Sequence, residues 1–259
     1  MVDQAVRFCS GNLRRSTFLF VLIPLIAIFY FGTLALAICL FPEAYDWRYR
    51  VISSLISPRY NPAFHWIPSF GIALAGLLMI PFGGYIRRHL GLAAPRMAHL
   101  GGGAFAAGAV ALSLTAFVVS PHLHGPAGGL RMHEMLGRTA ALGIGLGMVL
   151  FSWCLLKGRC LAPAEERLYP LKLLVLWTLL TLPPVLGLGS SEGLLLMARA
   201  QSSWSHAIYS GFRNSVVWHL GFWEWIGSAA VFLFLLSSAL LLPERGDHVE
   251  NATYASARR

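Results

Sequence analysis

Six long apolar stretches, separated by short polar ones, dominate the chain. They cover approximately Thr17–Phe41, Phe64–Ile86, Leu100–Ser120, Glu134–Leu156, Leu171–Ser190 and Val216–Leu242. A helix crosses the roughly 30 Å hydrocarbon layer in about 20 apolar residues, and all six stretches reach that length. In lipid every backbone amide must be paired within the protein, so runs this long are helices. The strict alternation over about ten residues that a membrane β-barrel requires is absent. The pattern therefore predicts an all-α fold, a polytopic membrane protein whose six-helix bundle is one integral membrane domain over residues 1–259. The first run exceeds the roughly 7–15 residues of a signal-peptide core, and it reads as an uncleaved first helix.

Composition agrees and adds an orientation. Apolar residues make up 56% of the 259 positions and charged ones 12%, about half the roughly 25% charge of a soluble domain. A soluble enzyme, a disordered chain and a disulfide scaffold are excluded. The net charge is +9. A nucleic-acid binder is also basic, but here the cations lie between apolar runs, so no nucleic-acid partner is expected. Thirteen Lys and Arg fall at the N-terminus, in the second and fourth connections and in the tail. Seven fall on the opposite side, at Arg48, Arg50, Arg59, Arg131, Arg138, Arg199 and Arg213. The positive-inside rule then predicts both termini in the cytoplasm, with the chain integral to the cell (inner) membrane. Cys9, Cys39, Cys154 and Cys160 put no pair on the oxidising side, so no disulfide is expected.

The candidate chemistry is crowded on the non-cytosolic side. His65, His122, His124, His133, His206 and His219 fall there, with Glu43, Asp46, Glu134, Glu192 and Glu224. Ionisable groups at membrane depth are costly, which makes them functional candidates. Glu134 and Arg138 are spaced for a helical ion pair. His122-x-His124 follows Pro121 where the third helix emerges, and two such imidazoles can converge on one metal. Zinc takes three or four ligands, and His133, His65, Asp46 or Glu224 could complete the set. A divalent metal such as zinc is thus a candidate cofactor. Glu224 is the deepest acid, and it or Asp46 could serve as a general base; a hydrogen bond to a neighbouring helix is the alternative for Glu224. Arg48 and Arg50 are candidate contacts for lipid head groups.

Trp47, Trp66, Trp204, Trp218, Trp223 and Trp225 fall in the outer half. They form an aromatic belt, whose surplus, Trp223 included, could roof a lipid-sized groove. Helices three and four are rich in glycine, including Gly143-x-x-x-Gly147, the signature of close helix packing. Pro183-Pro184 predicts a kink in helix five. Glu192–Arg199 reads as a short helix lying in the interface. Gly189-x-Ser191-x-Gly193 matches a nucleophile elbow literally, but that motif works at a strand-to-helix turn, and here it ends a membrane helix.

Ile52-Ser53-Ser54-Leu55, Asn61-Pro62, Phe70-Gly71 and Gly76-Leu77-Leu78 together resemble the first outer loop and second helix of the DRAM-type six-helix superfamily. That group includes a GPI-anchor lipid-remodelling factor. Ser54 stands where the pattern has an acid and Ile56 where it has a glycine. The resemblance implies a lipid-associated integral membrane protein, with Ser53 and Asn61 as outer-loop polar positions, and no established catalytic mechanism.

Three readings remain open. The first is a lipid-associated membrane protein whose partner is a membrane lipid or another membrane protein. The second is a metal-dependent hydrolase or transferase acting on a lipid or lipid-linked substrate through His122, His124, His133 and an acid. The third is a small-solute or proton-coupled transporter, disfavoured because no inverted repeat is evident.

Overall fold

The structure is a computed structural model that describes residues 2–118, 132–161, 171–199, 207, 210–212 and 215–242. Among the described residues there is no strand. We number the helices α1 (Val2–Cys9), α2 (Arg15–Cys39), α3 (Trp66–Leu90), α4 (Pro95–Thr115), α5 (Met132–Leu161), α6 (Leu171–Arg199) and α7 (Leu220–Leu241). The helices α2 to α7 are long and apolar enough to cross a membrane, so this is a multi-pass membrane protein.

Each spanning helix packs on its neighbours in chain order, and α7 returns to α2. Apolar side chains gain nothing by leaving lipid for a protein interior, so close packing and interhelical hydrogen bonds hold such bundles. The α4–α5 seam shows this best. A Cβ on Gly108 would strike the backbone of Ala140, Gly143 and Ile144, and one on Gly147 would strike Phe105. The middle of the bundle is filled by Phe18, Phe82, Phe105, Phe151, Trp177 and Phe234, all fully buried. Trp177 lies in this core, donating to the Ser237 hydroxyl at 3.0 Å and packing on Phe234.

The first span has an irregular spine. Phe18–Leu22 and Ile28–Gly32 are π-helical turns within α2. Pro24 lacks the N–H that would meet the carbonyl four residues back, and the first π turn lies immediately before it. Thr33 donates to the Phe29 carbonyl, another local perturbation of the helical ladder.

One expectation about α6 is revised. Pro183 and Pro184 both lie inside its helix. The helix continues past Ser190 to Arg199, so Glu192–Arg199 extends the span instead of forming a separate interfacial helix. Ser190 and Ser191 are therefore helical, each donating to a carbonyl one turn back, which is no geometry for a nucleophile elbow.

The two ends of the bundle differ. At the end where α2 begins, Arg15 holds the last carbonyls of α7, donating to Ala239 at 2.7 Å and also to Leu240. Arg88 at the end of α3 reaches the Gly11 carbonyl and Asn12 Oδ1. Gly11, at φ +65°, passes so close to Pro81 and Tyr85 that no side chain fits there. The opposite end carries the connection 40–65 and most of the tryptophans, and we call it the tryptophan end.

Candidate functional site

The connection 40–65 is the structural centre of the tryptophan end. It has little regular structure beyond one 3-10 turn at Ile52–Ser54, and although Trp47, Tyr49 and Tyr60 are exposed, its middle does not lie on the surface. Ile52, Leu55 and Ile56 are buried in a second apolar cluster with Leu34, Ala37, Ile72 and Ala116. The 3-10 turn at Ile52–Ser54 turns Ile52, Leu55 and Ile56 into the bundle, with Ser54 buried among them, and this part of the connection plugs the space between α2, α3 and α4.

Burying irregular backbone leaves amides that need partners, and side chains supply them. The Glu224 carboxylate on α7 accepts the Ile52 N–H at 2.6 Å. Tyr45 donates to the Arg50 and Val51 carbonyls, 3.0 and 3.2 Å away, and accepts from the Trp225 indole at 3.3 Å. Burial pushes the Tyr45 hydroxyl up to about 12. The backbone at Arg50–Val51 lies so near Gly221 that a Cβ there would strike it. One turn below, Ser228 donates to the Glu224 carbonyl and meets the Tyr30 hydroxyl at 2.7 Å. Gly221, Glu224 and Trp225 thus make one face of α7 the clamp that holds the plug, and Ser228 on the same face ties α7 to α2.

A pocket of about 180 Å3 opens beside this clamp. Its walls come from three places: Tyr49 and Val51 of the plug, Ser191, Leu194 and Leu195 of α6, and Phe212 with Trp218–Gly221 at the approach to α7. The extension of α6 beyond Ser190 supplies the leucine wall. Two aromatic pairs face the space, Phe212 with Trp218 and Tyr49 edge-on with His219, each with ring centroids 4.8 Å apart. Among the described residues no Asp, Glu, Lys or Arg lines it.

The charged candidates lie around this pocket, paired with one another. Asp46 accepts the Arg48 guanidinium through both carboxylate oxygens at 2.9 Å, which holds its carboxyl below the usual carboxylate range. Arg50 pairs with Glu43 and lies over the Phe41 ring. Arg138 reaches Glu192 on α6 at 3.0 Å and Glu134 on its own helix at 3.8 Å. The i,i+4 pair is therefore the longer arm of a three-residue bridge between α5 and α6.

The other expected site residues divide. Trp223 hydrogen-bonds the Val217 carbonyl and fills the space left by Gly187, so it packs α7 on α6. Asn61 is fully buried, its amide donating to the Leu55 carbonyl at 3.0 Å while Oδ1 has no hydrogen-bond partner among the described residues. Ser53 is half-buried within the 3-10 turn. His133 Nδ1 lies 3.2 Å from the Thr115 carbonyl, joining the start of α5 to the end of α4. His122 and His124 lie outside the described residues. Among the described residues no three His, Cys, Asp or Glu side chains converge as a metal site would require.

Tyr45, Tyr49, Phe212, Gly221 and Ser228 escaped the sequence reading. Their roles depend on contacts across long stretches of chain, and only the aromatic excess at this end hinted at them. Compared with family models, curated proteins and solved structures, the chain matches none.

Proposed function

We propose that this multi-pass protein binds a membrane lipid at its tryptophan end without transforming it, and that this end faces away from the cytosol with both termini inside. The pocket between α6, α7 and the plug carries the reading. Its lining is mainly apolar and aromatic, as ligand sites are, though its volume lies below the roughly 300–1,000 Å3 of a complete small-molecule site. It suits one end of an amphiphile whose remainder stays in the bilayer. The acids around it are engaged in ion pairs or in holding backbone, which favours binding over acid–base chemistry. The cation excess at the other end supports the orientation. The resemblance of residues 52–78 to the DRAM-type superfamily points toward lipid as well.

Lipid analysis of detergent-purified protein tests this. Wild type should retain a lipid that Leu195→Trp, which fills the pocket, loses while remaining folded. Equal retention by both would refute the pocket as the site. Metal analysis of the wild type and His122→Ala/His124→Ala tests the enzyme alternative: stoichiometric zinc lost in the variant would replace the binding reading with a metal-dependent one. Labelling of single cysteines at residues 47 and 128 should occur from outside the cell.

A further inference from the structure

The pocket's walls also define what kind of head group it would take; this inference rests on the lipid-binding reading above. Phe212, Trp218, Tyr49 and His219 supply four π-systems in two pairs whose planes are inclined by 52° and 81°. All four side chains line one small volume. Leu194, Leu195 and Val51 close it with aliphatic surface. Among the described residues no Asp, Glu, Lys or Arg side chain is in the lining, so those residues offer neither a carboxylate for a primary ammonium nor a Lys or Arg for a phosphate. The charge it does accommodate is one that is diffuse, poorly hydrated and without N–H donors. Quaternary ammonium fits that description, since it is attracted to the negative faces of aromatic rings and demands no hydrogen bonds.

We propose that the pocket binds a quaternary ammonium head group, as carried by a choline phospholipid. The surroundings suit the rest of such a molecule. Arg48 lies 5.7 Å from the Tyr49 ring centre and belongs to the plug outside the pocket lining, near where the phosphate of a seated head group would emerge. The exposed leucines of α6, Leu182, Leu186 and Leu196, give its acyl chains an apolar surface to follow.

The test is a tryptophan-fluorescence titration of the detergent-purified full chain with dodecylphosphocholine and with its neutral 3,3-dimethylbutyl isostere. The isostere has the same shape without the positive charge. Dodecylphosphocholine should bind at least about fivefold more tightly, and Phe212→Leu should reduce that preference by a similar factor, on the scale of one cation–π contact. Trp153→Leu, at the other end of the bundle, should leave it unchanged. Equal binding of the two probes would overturn the ammonium assignment, and if wild type still retains lipid the binding reading survives that result. Loss of both retained lipid and probe binding would overturn the two together. Choline chloride competing as well as dodecylphosphocholine would keep the ammonium chemistry and overturn the lipid as its source.

Discussion

The Glu224 carboxylate accepts the backbone N–H of Ile52 at 2.6 Å, 172 positions away in sequence. This bond joins the last spanning helix to the first connection and satisfies an amide that the buried plug would otherwise leave bare. Glu224→Ala should therefore destabilise the protein by about 1–3 kcal/mol, the cost of an unsatisfied buried donor. Glu224→Gln keeps an acceptor and should recover most of that loss. Thermal unfolding in detergent reads both. A general base would show the opposite emphasis, with Gln as inactive as Ala and stability untouched.

Gly221 tests the same clamp by steric means. Its missing side chain lets the Arg50 carbonyl and Val51 amide approach α7. Gly221→Val should push the plug outward and lower thermal stability by roughly 1–3 kcal/mol, as overpacking does. Labelling of a cysteine placed at buried Leu55 should become faster in the Val background. Unchanged labelling would mean that the plug is held without this contact.

Arg138 holds two acids on two helices. Removing it as Arg138→Leu takes from Glu134 and Glu192 the cation they share. All three side chains are about a quarter exposed, so the penalty should be smaller than the 3–5 kcal/mol of a fully buried pair, about 1–2 kcal/mol. The double variant Arg138→Leu/Glu192→Leu should be more stable than Arg138→Leu alone. A double-mutant cycle in detergent measures the coupling, and additive losses would show that the bridge contributes nothing.

Tyr45 sets the alkaline limit of the plug. Burial raises its hydroxyl from the ordinary value of about 10 to about 12. The folded state therefore holds the proton more tightly than the unfolded chain does. The stability linked to this group is complete below pH 10 and is lost as pH rises through about 12. Tyr45→Phe should remove that part of the alkaline loss, while costing about 0.5–1.5 kcal/mol at neutral pH for the missing hydrogen bonds. Near-ultraviolet absorbance of tyrosinate, followed beside unfolding, checks both halves.

The spans were legible because twenty apolar residues in a row have one stable arrangement in lipid. Their ends were less so. The apolar run reads as ending at Ser190 with a separate interfacial helix from Glu192, yet α6 continues through both, and Glu192 pairs there with Arg138 on the adjacent helix. A local pattern cannot register a partner 54 residues away. The glycine seam between α4 and α5 was visible from Gly143-x-x-x-Gly147, whose spacing puts small residues on one face. The role of Glu224 was half visible. Its depth marked it as unusual, but its partner is a backbone amide, and amides carry no signature in a sequence. Trp177 shows the converse. Nothing in its sequence surroundings marks it out, and its indole donates to Ser237 within the core.

Arg15 on the first span grips carbonyls on the last turn of the last one, and Phe31 meets Phe232 farther along the same two helices. During synthesis this side of the barrel of helices must stand ajar until some two hundred further residues have been made. The final span is then the keystone: a ribosome stalled before it leaves an inserted but unsealed protein, and a truncation there exposes the flank of the first helix to lipid or to quality-control machinery.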